Sequence, residues 1–142
     1  MAEFIFSILE SIGFVHPVHP AITHIPMGMA IGVFVFGLAA VFLKQPILYQ
    51  TCRHASILGL IGTPITVFLG YLDWQYLYGG AYSFPIKVKL ILAFVLFILL
   101  TLAVIFGKNA EKNPPRILVI YTLCLLTAIG LGFMGGELIF GE

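Results

Sequence analysis

Four stretches of this chain, near residues 22–43, 55–72, 88–106 and 117–140, are apolar almost without interruption. A helix rising about 1.5 Å per residue needs roughly 20 residues to cross about 30 Å of hydrocarbon, and each stretch comes close to that length. A transmembrane barrel would instead need strands of roughly ten residues that alternate in polarity, whereas residues 90–100 are apolar at nearly every position. Composition agrees: 61% of residues are hydrophobic and 9% are charged, too few charges for a soluble domain of 142 residues.

The polar residues fall between the apolar stretches. Lys44-Gln45-Pro46 and Arg53 mark the first connection, residues 73–85 the second, and residues 107–116, with Pro114-Pro115, the third. Connections this short join neighbouring antiparallel helices. The sequence therefore predicts one all-α domain over 1–142, an integral membrane up-down four-helix bundle.

Because charges are few, their positions matter. Lys44, Arg53, Lys108, Lys112 and Arg116 lie at one end of the predicted bundle, and only Lys87 and Lys89 at the other. The excess of basic residues assigns the first end to the cytoplasm and both termini to the outer side, where Glu3, Glu10, Asp73, Glu137 and Glu142 also fall. With seven basic residues against six acidic ones and no basic stripe, nucleic acid is excluded as a partner. The lipid bilayer is the expected surrounding.

Residues 2–14 have no basic segment of the kind that opens a secretion signal. Glu3, Ser7, Glu10 and Ser11 recur on one helical face and Phe4, Ile5, Ile8, Leu9 and Ile12 cover the rest, which predicts an amphipathic helix lying in the outer interface. Residues 71–84, at the second connection, hold the only Trp and four of the six Tyr, as an aromatic belt at headgroup level would. A quinone or pigment resting there is the alternative. Gly28 and Gly32 in the first span, Gly132 and Gly136 in the fourth, and Gly59, Gly62, Thr66 and Gly70 in the second predict close helix contacts. The third span lacks such positions and is expected to face lipid or a partner.

Cys52 and Cys124 fall at different depths and form no CxxC motif, so neither a disulfide nor a zinc or c-type haem site is expected. Nucleophile–base arrangements, phosphate loops and HExxH are absent, which points away from an enzyme. A transporter would place ionisable groups at mid-membrane, where this sequence has only threonines.

Candidate chemistry concentrates in His16-Pro17-Val18-His19-Pro20-Ala21-Ile22-Thr23-His24-Ile25-Pro26. His24 falls inside an apolar stretch, where an imidazole requires a hydrogen-bond or metal partner. It could ligate haem iron, or the magnesium of a chlorin, with His19 or His16 assisting and Asp73 or Glu137 orienting the ring. It could equally bond a carbonyl freed by Pro20 or Pro26, or pair with Asp73 or Glu137. His54 lies about 30 residues along, at the far end of its own span, roughly 30 Å from the depth of His24, and cannot share an iron with it.

The His16–Pro26 run, Gly70-Tyr71-Leu72-Asp73-Trp74, and Gly132-Phe133-Met134-Gly135-Gly136-Glu137-Leu138 together resemble the small bacterial four-helix membrane proteins known as domain of unknown function two-two-three-one. The resemblance covers most of the chain. It implies a bacterial inner-membrane location and a plan similar to b-type cytochrome membrane domains, with haem b as the conjectured cofactor. His16, His19 and His24 stand on the first motif and Glu137 on the last; a histidine common at the start of the family's third helix is replaced here by Ile86-Lys87-Val88-Lys89. Two expectations follow. One is a redox-associated membrane protein holding haem b, or another metal centre, through His24 for electron transfer. The other is a non-catalytic accessory subunit of a larger photosynthetic or respiratory membrane complex, serving packing, pigment or quinone containment, or assembly.

Overall fold

The computed structural model describes residues 2–14 and 16–140, with side chains as far as residue 138. Glu142, one of the expected outer acids, lies outside the described residues. Those residues form five α-helices and no strand: α1 (Ala2–Ser11), α2 (His19–Phe42), α3 (Ile47–Leu77), α4 (Phe84–Gly107) and α5 (Pro114–Phe140), with a 3-10 turn at Ala110–Lys112. The last four are each long and apolar enough to cross a membrane. They pack in a ring, α2 on α3, α3 on α4, α4 on α5 and α5 back on α2, so the up-down four-helix bundle is the observed architecture.

The spans run longer than their apolar cores because helical geometry continues where apolar composition stops. Pro20, Pro85 and Pro115 sit in first turns, where the missing N–H costs no hydrogen bond and the fixed φ suits helix entry. α3 has 31 residues, about 46 Å at helical rise, and so extends beyond a layer of about 30 Å. Its last turns receive α1: Phe6 is buried against Tyr76, ring centroids 4.2 Å apart and nearly parallel, and the Tyr76 hydroxyl donates to Glu10 Oε1 at 2.7 Å. Phe4, Ile8 and Ile12 stay exposed along the other side of this short helix, at the i, i+4, i+8 spacing of an apolar stripe.

A single core joins the four long helices. Val33, Leu96, Leu100, Ile117, Tyr121 and both cysteines are fully enclosed, and the cysteines remain free thiols. Around it the outward residues are mostly Ile, Val, Leu and Phe. α4 is the least enclosed span, with 22% of its most apolar window buried against 28–33% for the others, as its lack of small residues predicts. Ser56, Thr63, Thr101 and Thr127 each return their hydroxyl to the carbonyl four residues back at 2.8 Å. These four hydroxyls are thereby satisfied within their own helices.

Pro26 removes the N–H that would bond the Ile22 carbonyl. The Thr66 hydroxyl of α3 reaches that carbonyl at 3.4 Å, and Gly62 allows the approach, since a Cβ there would stand 3.0 Å from Ile25 and 3.4 Å from Pro26. The freed carbonyl is thus met by threonine rather than by His24.

At the α2–α3 turn, Lys44 adopts φ 53, a left-handed conformation that L side chains disfavour. It closes α2: the Gln45 N–H donates to the Ala40 carbonyl at 3.1 Å, the outer bond of a Schellman motif. Lys44→Gly is expected to stabilise the bundle by about 0.5–1 kcal/mol, read as a higher midpoint of thermal unfolding in detergent. A lower midpoint would show that the lysine side chain contributes more than its backbone strain.

Candidate functional site

The histidine end of the bundle is organised by Asp73. Its carboxylate sits in the last turns of α3, 4% exposed, and accepts the Val18 N–H at Oδ1 (3.1 Å) and the His19 N–H at Oδ2 (2.9 Å). Val18 precedes α2 and supplies no side-chain cap of its own. A carboxylate 55 residues away therefore caps α2, with its negative charge at the positive end of the helix dipole. Sequence reasoning expects Asp73 to orient an imidazole ring; the structure has it hold the backbone that carries one.

His19 is half-buried and turns toward α3 and α4. Its ring lies against Gly70, where a Cβ would stand 3.5 Å from Nδ1. The Thr23 hydroxyl donates to the His19 carbonyl at 2.8 Å and so accepts from Nδ1–H at 2.9 Å. That leaves Nε2 to accept from the Lys89 ammonium at 3.2 Å. Hydrogen-bond direction thus assigns the neutral, Nδ1-protonated tautomer. Lys89 is half-buried, interacts electrostatically with Asp73, and lies near Gly135 of α5, where a Cβ would come within 4.0 Å of Nζ. Four helices meet in this cluster. Lys89 and Thr23 are the members that sequence reading does not single out, although a lysine just inside an apolar span is itself a signal of a buried partner.

The remaining candidates stand apart. His16 is exposed in the loop, edge-on to Phe14 with centroids 6.1 Å apart. Glu137 is exposed on α5 and takes no part in the hydrogen bonds of the cluster. His54 lies at the opposite end of the bundle. Among the described residues, no three of His, Cys, Asp and Glu come together as a metal-binding group.

His24 lies on the outside of the bundle. Five positions after His19, it projects about 140° away around the helix, and it is exposed. Gly28, Ile31, Gly32 and Val35 follow it within an arc of about 100°. Ile31 and Val35 are 46% and 53% exposed, and a Cβ added at Gly28 or Gly32 would meet nothing within 4 Å. The close contacts inside the bundle are made instead by Gly59, Gly62 and Gly70 of α3, by Gly37 of α2, and by Gly130 and Gly132 of α5, whereas a Cβ at Gly136 would meet nothing within 4 Å. The Gly28/Gly32 pair, expected to bring helices of the bundle together, forms an open trough on its surface with an imidazole at the upper end.

This arrangement bears on haem. A macrocycle held inside the bundle between His19 and His24 does not fit, because both His19 ring nitrogens are engaged and the two imidazoles face different ways. Compared with protein-family models, with curated proteins and with solved structures, the chain finds no match, so its function rests on this geometry.

Proposed function

We propose that this integral membrane protein is a non-catalytic subunit of a larger membrane complex, and that the His24–Gly28–Gly32 face of α2 is where another transmembrane helix docks. One observation carries the reading: an imidazole stands exposed on an otherwise apolar face directly above two glycines at which an added Cβ would meet nothing within 4 Å. Ionisable side chains in apolar layers face protein or a polar partner, and glycines four apart let a second backbone come close enough for its carbonyls and side chains to reach such a group. A second reading shares the same face: haem b, ligated by His24 and lying over the trough, would supply electron transfer.

Native gel electrophoresis from mild detergent separates these readings. Gly28→Leu with Gly32→Leu fills the trough, and a Cβ at either position would meet nothing within 4 Å. The wild type is expected to run in a species several times the 15.6 kDa of the chain, and the double variant as the free chain with unchanged helicity. Identical migration of both as the small species contradicts the docking reading. A Soret band in the wild-type species, abolished by His24→Ala, favours the haem reading.

A further inference from the structure

At the end of the bundle opposite the histidines, the start of α3, the end of α4 and the 3-10 turn enclose an open cavity of about 470 Å³. Its lining includes Tyr49, Arg53, His54, Lys108, Glu111 and Lys112, three formal positive charges against one negative. Tyr49 and Arg53, four residues apart, share one side of the first two turns of α3, so the positive end of that helix's dipole adds to the field. The Arg53 Nε is shut off from solvent and has no hydrogen-bond partner among the described residues, a donor for which the fold supplies no acceptor.

We infer that this cavity binds a phosphate-bearing anion, held by Arg53, Lys108 and Lys112. The chemistry follows from the donors: a guanidinium and two ammonium-bearing side chains line one cavity with a single carboxylate, too little to neutralise them, and phosphate oxygens accept from both kinds of group. Location also bears on the source. Lys108 directly follows the apolar run of α4, and Tyr49 is buried at the edge of the core, so the cavity opens at the level where the apolar layer ends. Basic pockets between transmembrane helices at that level accept anionic headgroups, whereas a free phosphate would arrive from water.

The test uses the purified full chain in detergent, titrated with dihexanoyl phosphatidic acid, dihexanoyl phosphatidylcholine or inorganic phosphate and followed by thermal unfolding. Phosphatidic acid is expected to bind saturably, at least tenfold more tightly than phosphatidylcholine. Lys108→Gln with Lys112→Gln should weaken that binding tenfold or more. The unliganded midpoint should stay within a degree or two, since both lysines are exposed. Inorganic phosphate binding as tightly as the lipid, with the same sensitivity to the double variant, supports the site with free phosphate as its source; tighter lipid binding assigns the headgroup. Absence of saturable binding by both phosphates, or affinities unchanged in the double variant, overturns the inference.

Discussion

Asp73→Ala is expected to destabilise the bundle by about 3 kcal/mol, because it strips two backbone donors of their acceptor in a site that is 4% exposed. The loss has several parts. The Val18 and His19 amides are left unpaired at the start of α2, that helix loses its only identified cap, and Lys89 loses the nearby negative charge that balances it. Asp73→Asn, which keeps one acceptor oxygen, should lose roughly half as much. Thermal unfolding of the full chain in detergent checks both, and a midpoint unchanged in Asp73→Ala would show that the carboxylate does not hold α2 to α3. Thr23→Val separates ring from backbone: it removes the partner of Nδ1 but leaves both amide bonds to Asp73, and is expected to cost only about 1 kcal/mol.

A change of comparable size is expected at Gly37. The Cδ2–Cε2 edge of the Tyr121 ring rests on the α2 backbone there, and an added Cβ would stand 2.8 Å from Cε2 and closer still to Cδ2. Tyr121 has no exposed surface and lies among Val33, Cys52, Ile117 and Cys124, so the ring has nowhere to move. Gly37→Ala should therefore cost about 3 kcal/mol, the upper part of the range for overpacked cores. Tyr121→Leu opens a cavity and is destabilising alone, yet in the double variant the two changes should compensate by at least 1 kcal/mol. Strict additivity of the two losses would place the conflict elsewhere than in this contact.

The fold is legible in the sequence because its governing constraint is length. Four apolar runs close to 20 residues, separated by Lys44-Gln45-Pro46, by the aromatic connection and by Pro114-Pro115, admit little besides an antiparallel bundle. Span ends are less legible, since α3 continues as a helix through polar Gln50, Arg53 and His54 and again through Asp73-Trp74-Gln75-Tyr76. The face each residue presents is hardest to read. His19 and His24 are near neighbours in sequence, but a helix of 3.6 residues per turn sends one to Lys89 and the other outward. A span apolar on all sides carries no pattern to say which side is inside, so Gly28 and Gly32 read the same as Gly59 and Gly62. Only packing tells them apart. Lys89 and Asp73 are visible as ionisable groups at one end, but their meeting through His19 depends on how α2 seats against α3, across the bundle from α4.

The central claim is that the His24 face of α2 meets another protein in the membrane, and photo-crosslinking in native membranes tests it most directly. A photoreactive amino acid placed at Ile31, on the trough, is compared with one at Phe94, which is 66% exposed on α4. One discrete protein adduct is expected from position 31, lost when Gly28 and Gly32 are both replaced by leucine, and lipid adducts alone from position 94. Lipid adducts alone from both positions would contradict it.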